Sequence, residues 1–134
     1  MKTRIFASIF VLFTIVSSTK SQTSDTNGIQ QKLISENANY QLFPTQNYWT
    51  FIKLDTRNGK MWQVHFTVLE DGRQGEFVLN SLPLVSKDKE VKGRFTLYPT
   101  ENIYNFLLLD QLDGDVYQIQ WSMDAKNRGV FLIK

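Results

Sequence analysis

From residue 39 onward, apolar and polar positions alternate in short runs that end at turn residues. Such period-two alternation is typical of strands in an antiparallel sheet with one face buried. The pattern predicts eight strands, four in residues 39–79 and four in residues 93–134. Residues 80–92 carry the charged run K-D-K-E-V-K and are predicted to be a linker on the surface.

The two sets of four strands are copies of each other, 55 residues apart. L-D-T-R-N-G-K-M-W-Q-V-H-F at Leu54–Phe66 returns as L-D-Q-L-D-G-D-V-Y-Q-I-Q-W at Leu109–Trp121, and F-P-T-Q-N at Phe43–Asn47 returns as Y-P-T-E-N at Tyr98–Asn102. A fixed period means that one supersecondary unit is used twice. Asn-Gly or Asp-Gly in each copy predicts a tight hairpin, whose first aspartate accepts hydrogen bonds from N–H groups of the loop.

The third strand of each copy predicts which side chains face the core. We expect the more apolar set to be buried and the more polar set to meet solvent, because a slip of one residue would expose every large side chain. In the first copy the apolar set is Trp62, Val64, Phe66 and Val68, and the polar set is Met61, Gln63, His65 and Thr67. In the second copy the apolar set is Tyr117, Ile119, Trp121 and Met123, and the polar set is Val116, Gln118, Gln120 and Ser122.

The predicted fold is therefore all-β: two four-stranded antiparallel meanders that share one interior as an eight-stranded barrel or sandwich with approximate two-fold symmetry. A closed or nearly closed barrel is favoured, because closure removes exposed strand edges. The alternative is a two-bladed piece of a larger homo-oligomeric ring, since two meanders are too few for a closed propeller.

The N-terminus predicts export. Lys2 and Arg4 precede an apolar run at Ile5–Val16, and the small polar residues Thr19 and Ser21 fit a cleavage site before residue 22. This layout is typical of a secretory signal peptide at 1–21, followed by a flexible leader at 22–38. The protein is expected in the periplasm or outside the cell, with no membrane span once the signal is removed.

Charge and cysteine content narrow the classes of partner. Loss of the signal removes three of the 15 basic residues and leaves 12 against 13 acidic ones, a net charge of about −1. A nearly neutral domain lacks the basic surface that nucleic acid requires. Cysteine is absent, which excludes disulfides, thiol nucleophiles and cysteine-based metal sites. The expected partners are a glycan or an envelope protein, and the chain can also form a homo-oligomer.

Catalytic residues, a cofactor and a metal site are not predicted. His65 is the only histidine, and its counterpart in the second copy is Gln120. Because glutamine cannot shuttle protons, His65 is interpreted as structural. Asp55 and Asp110 each open a hairpin and are interpreted as loop caps. The rival hypothesis is a hydrolase that uses His65 with Asp55 or another carboxylate.

The polar stripe is the candidate binding surface. It comprises Gln63, His65, Gln118 and Gln120, with aromatic side chains beside it that could stack on sugar rings or on a partner protein. The predicted function is a non-enzymatic binding module, and the alternative is a structural subunit of a β-repeat oligomer.

Two resemblances bear on the fold. The L-D-x-x-x-G-x-x-W core, with Asp55, Gly59, Lys60 and Trp62, resembles the repeat of quinoprotein-type β-propellers, although it has one residue fewer between the glycine and the tryptophan. That likeness implies a blade-like meander and no quinone chemistry. The chain from residue 22 onward is more similar to small secreted bacterial proteins with a doubled P-T-x-N…L-D-x-x-x-G-x-x-W-Q-V module, which imply no activity and no site residues.

Overall fold

The computed structural model describes residues 38–134 and contains two four-stranded antiparallel sheets. The predicted signal peptide at 1–21, and the predicted leader at 22–38 apart from its last residue, lie outside the described residues. The first sheet consists of β1 (Tyr40–Pro44), β2 (Thr50–Asp55), β3 (Met61–His65) and β4 (Gly75–Asn80). The second consists of β5 (Phe95–Pro99), β6 (Asn105–Asp110), β7 (Val116–Gln120) and β8 (Gly129–Ile133). Two single 3₁₀ turns, at Lys87–Lys89 and Ala125–Asn127, are the helical elements of this part of the chain.

The two sheets are built alike, which confirms the predicted pair of meanders. Each runs in sequence order, β1-β2-β3-β4 and β5-β6-β7-β8. Thr50 pairs with His65 across the first central hairpin, and Asn105 pairs with Gln120 across the second. Between residues 38 and 134, no helix is of the length and apolarity that a bilayer crossing demands.

The closed barrel that the sequence favours is wrong, and the sandwich fits. All six strand pairings lie within one sheet or the other. The linker at 80–92 carries the chain from the end of β4 to the start of β5, which lies close to β2. The second sheet therefore packs over the first, and the strands of one sheet do not pair with those of the other.

The expectation that the third strands bury equivalent faces is also wrong. In the second sheet the core face is as predicted, with Ile119 and Trp121 buried. In the first sheet the predicted polar set points inward, so that Met61, Gln63 and His65 are buried while Phe66 is exposed. The core is made of Ile52, Leu54, Met61 and Leu79 from the first sheet and Phe95, Leu97, Phe106, Leu108, Ile119 and Trp121 from the second.

Neighbouring strands explain why the first sheet buries this face. Gln63 lies between Ile52 of β2 and Phe77 of β4, so the face as a whole is largely apolar although two of its three β3 positions, Gln63 and His65, are polar. The buried Gln63 amide is satisfied across the interface, since its Oε1 accepts a hydrogen bond of 2.9 Å from the backbone N–H of Ser122. A buried amide with partners costs little, and it ties the two sheets together.

Candidate functional site

The P-T-x-N segments form the same turn in both sheets. Thr45 Oγ1 donates to the carbonyl of Thr50 over 2.9 Å, and Thr100 Oγ1 donates to that of Asn105 over 3.0 Å. The side-chain oxygen of Asn47 accepts from the N–H of Trp49 over 2.9 Å. Such hydrogen bonds from side chains to the backbone stabilise a turn that lacks the backbone hydrogen bonds of paired strands.

The matching turn of the second sheet is capped in the same way. Asn102 Oδ1 accepts from the N–H of Tyr104 over 3.0 Å. Trp49 and Tyr104 therefore stand at equivalent places just before β2 and β6, and each remains about half exposed.

Each turn walls a cleft at the same end of its sheet. The first cleft has a volume of about 360 Å³ and the second about 440 Å³. Six lining residues correspond one for one at the period of 55: Asn47, Trp49, Thr50, His65, Phe66 and Thr67 in the first cleft, and Asn102, Tyr104, Asn105, Gln120, Trp121 and Ser122 in the second. The doubled sequence thus produces a doubled cleft.

An aromatic pair stiffens one wall of each cleft. The rings of Trp49 and Phe66 pack edge to face with centroids 5.4 Å apart, and those of Tyr104 and Trp121 are also 5.4 Å apart, in a tilted arrangement. The backbone repeats as well, since the N–H groups of Phe66 and Trp121 donate to the carbonyls of Trp49 and Tyr104 over 3.1 and 3.0 Å. The half-exposed rings of Trp49 and Tyr104 therefore each pack against an aromatic neighbour in their own cleft.

Neutral hydrogen-bonding side chains also line each cleft. His65 Nδ1 lies 3.0 Å from Thr50 Oγ1 in the first cleft. In the second cleft Gln120 Nε2 donates to the carbonyl of Asn127 over 2.9 Å. Burial lowers the pKa of His65, and the positive charge of Arg128 lowers it further. His65 is thus neutral at pH 7.

The four predicted site residues do not form one stripe. Gln63 is fully buried between the sheets, and His65 is nearly buried at the floor of the first cleft. Gln120 lines the second cleft, whereas Gln118 is half-buried on the outer face of the second sheet, where its Nε2 donates to Asn105 Oδ1 over 3.1 Å. Because the sheets bury opposite faces, the glutamine of each copy ends in a different environment.

The sequence interpretation missed the turn residues that wall the clefts. The sequence does carry a signal for these residues, because P-T-x-N with an aromatic residue two positions after the asparagine recurs with the period of 55. The interpretation treated the motif as a turn and placed Trp49 and Tyr104 on strands. The strands begin one residue later, at Thr50 and Asn105.

The geometry does not bring His65 together with Asp55. His65 pairs with Thr50 at one end of β2 and Asp55 is the last residue at the other end, about 16 Å away along the strand. Asp55 Oδ1 accepts from the N–H of Arg57 over 3.1 Å, which is the predicted loop cap. Within residues 38–134, no group of three or more histidine or carboxylate side chains could hold a metal ion.

The chain was compared with protein-family models, with curated proteins and with solved structures, and nothing matches it.

Proposed function

We propose that this protein is an exported, non-enzymatic binding module that takes a neutral carbohydrate in its two clefts. The observation that carries the proposal is the doubled pairing of an exposed aromatic ring with amide and hydroxyl groups. Sugar rings present an apolar face that stacks on such a ring and hydroxyl groups that bond to amides. The basic start and apolar run of the N-terminal segment support export to the periplasm or the exterior.

Charge favours a neutral ligand. The second cleft is lined, among the described residues, by side chains without formal charge. The first cleft is lined by one cationic side chain, Arg73, and by His65, which is neutral. A phosphorylated or strongly acidic ligand would need a cluster of cationic side chains that bond to it, so a neutral glycan fits both clefts better.

A glycan array tests this proposal. We expect the purified protein to retain one class of neutral oligosaccharide, and Trp49→Ala and Tyr104→Ala together to abolish that binding, because both stacking surfaces are lost. The matched control is Tyr48→Ala, since Tyr48 is 89% exposed on the same turn but lines neither cleft. An empty array, or a double variant that binds as well as the wild type, contradicts the proposal.

The second candidate is a structural subunit of a β-repeat oligomer, and a different observation favours it. The outer faces of both sheets are rich in exposed apolar side chains, among them Leu42, Val78, Leu107 and Phe131. Contiguous apolar surface of this kind marks sites of protein association.

A further inference from the structure

The two sheets do not bury equivalent faces of the repeat. The faces that they leave on the outside of the molecule are therefore not equivalent either. The head face is the outer face of the first sheet, and the tail face is the outer face of the second. The head face includes Leu42, Phe51, Lys53, Trp62, Val64, Glu76 and Val78. The tail face consists of Tyr98, Leu107, Leu109, Val116, Gln118 and Phe131.

The head face is a copy of a surface that is already buried in the molecule. Its counterparts in the second sheet are Leu97, Phe106, Leu108, Tyr117, Ile119, Val130 and Leu132, and most of these pack in the core between the sheets. Leu42 is 59% exposed, whereas its counterpart Leu97 is 4% exposed. Apart from the charged Lys53 and Glu76, whose counterparts are apolar, a similar side-chain pattern is thus covered in one sheet and uncovered in the other.

The tail face is a copy of the other half of that interface. Its counterparts in the first sheet are Phe43, Ile52, Leu54, Met61, Gln63 and Phe77. Leu107 is 36% exposed, whereas Ile52 is fully buried. The surface at one end of the molecule is therefore complementary to the surface at the other end, in the way that the two inner faces complement each other.

Two hydrogen bonds between the sheets each join a donor and an acceptor that both have an equivalent in the other repeat. These equivalent groups do not meet inside one chain, because one belongs to the first sheet's side of the molecule and the other to the second sheet's side. Gln63 Oε1 accepts from the N–H of Ser122 inside the molecule, and the equivalent groups are the Gln118 side chain on the tail face and the N–H of Thr67, two residues beyond β3 of the first sheet. The N–H of Phe95 donates to the carbonyl of Thr56 over 2.8 Å, and its equivalents are the N–H of Tyr40 and the carbonyl of Gln111.

We propose that the tail face of one copy of this chain binds the head face of another, and that the copies close into a ring. Such a contact joins two different surfaces, so each added copy presents a new head or tail until rotation brings the ends together. Rings of sheets stacked face to face usually hold four to eight sheets, which is two to four copies of this chain. The proposal specifies the partner of the assembly alternative and does not depend on a ligand in the clefts.

Two single substitutions test the proposal by complementation. Leu42→Glu places a charge on the head face, and Leu107→Glu places one on the tail face. Both sites are exposed in the single chain, so each variant should fold, and circular dichroism checks that it does. The matched control is Leu82→Glu, because Leu82 is 71% exposed in the linker at 80–92 and belongs to neither sheet.

Mass is measured by size exclusion with light scattering on protein purified from cells that express the full chain. We expect the wild type and Leu82→Glu to form one species of two to four chains, and each face variant alone to be a single chain. An equal mixture of the two face variants should give a dimer with one chain of each, since one intact head and one intact tail remain.

Three outcomes overturn the proposal. The first is a wild type that stays a single chain at high concentration, and the second is a mass that grows without limit as concentration rises. The third is a Leu107→Glu variant that still dimerises, because it would mean that like faces pair. Glycan binding is measured separately, so the failure of either proposal is seen independently of the other.

Discussion

His65 is a buried, neutral histidine that a glutamine replaces in the second repeat. Its Nδ1 lies 3.0 Å from Thr50 Oγ1, and its ring packs edge to face against Phe77 with centroids 5.3 Å apart. Burial, helped by the positive charge of Arg128, holds its pKa below the ordinary 6.5. The unfolded chain therefore takes up a proton at a higher pH than the folded chain does.

We expect the free energy of unfolding to fall as pH drops from 7.5 to 5.5, because the unfolded state binds more protons in that range. His65→Gln should remove the slope. His65 is the sole histidine of the chain, and the shifted carboxylates Asp55 and Asp110 titrate at lower pH. Urea denaturation across this range measures the effect. A slope that persists in the variant would show that another group is responsible.

Gly59 and Gly114 occupy matching hairpin positions with φ of +77° and +80°, but their surroundings differ. A Cβ added at Gly59 would lie 2.7 Å from Leu84 Cδ1, whereas one at Gly114 would meet nothing within 4 Å. The loop that follows β4 packs on the first hairpin, since the N–H of Leu84 donates to the carbonyl of Asn58 over 2.8 Å.

Alanine at both glycines separates backbone strain from packing. Gly114→Ala should lower the free energy of unfolding by about 1–2 kcal/mol, the cost of a left-handed alanine. Gly59→Ala should cost at least about 1 kcal/mol more, because Leu84 must also move. Chemical denaturation measures both values. Equal losses would mean that the packing of Leu84 contributes nothing.

At the scale of elements, the equivalent aspartates of the two central hairpins form ion pairs with different arginines. Asp110 binds Arg94, and both side chains are buried. Asp55 binds Arg57, which is about one third exposed. Burial raises the pKa of Asp110, but hydrogen bonds from Arg94 and from the N–H groups of Leu112 and Asp113 outweigh it and hold the pKa below its ordinary value.

Asp110→Ala should therefore be the more damaging of two equivalent substitutions. It leaves the guanidinium of Arg94 buried with only Asp113 as a charged partner, and the loss should be about 3 kcal/mol. Asp55→Ala leaves Arg57 able to turn to solvent, so about 1–2 kcal/mol is expected. Thermal and urea unfolding compare the pair. A reversed order would contradict the role assigned to burial.

The hairpins and their register could be predicted from the sequence, because both rest on local chemistry. Asn58-Gly59 and Asp113-Gly114 specify the bends, and the copy 55 residues away checks the alignment. The clefts could be predicted in part, since the P-T-x-N turns were visible. The Asp110–Arg94 pair could not, because Arg94 lies 16 residues earlier in the chain and its counterpart in the first repeat is Asn39.

At the scale of the whole molecule, the alternation of apolar and polar residues could not predict which face of each sheet is buried. Alternation separates the two faces of a strand without saying which one is covered. Both faces of the first sheet are largely apolar, with Phe51 and Trp62 on one and Ile52 and Met61 on the other. A sheet with two apolar faces is typical of an inner layer, and in a stack of two layers one such face is left outside.

A ring of copies would also change what the clefts can do. Each copy has both clefts at the same end of its sheets, so a ring would present four to eight of them on one rim. Several weak sites that engage one polymeric ligand raise its overall affinity by about 10²–10⁴. This makes repetitive glycans better probes than single sugars, although each proposal stands without the other.

One ion pair distinguishes the head face from its buried copy. Lys53 and Glu76 form a salt bridge there, and their counterparts Leu108 and Val130 are apolar. Lys53 Nζ also lies 4.7 Å from the ring centre of Trp62. Covering this pair removes two charges from water, which costs free energy that a hydrophobic pair does not. The pair should therefore make the contact between copies weaker than the contact inside each copy.

The double substitution Lys53→Leu with Glu76→Val makes the head face match the buried face of the second sheet. We expect the contact between copies to strengthen by about 1–4 kcal/mol, so that the oligomer persists at least about fivefold further on dilution. Mass photometry over a dilution series measures this. The matched control is the charge reversal Lys53→Glu with Glu76→Lys, which keeps the ion pair and should leave the dissociation point near that of the wild type. If the apolar variant dissociates at the same concentration as the wild type, the prediction that this ion pair weakens the contact between copies is contradicted.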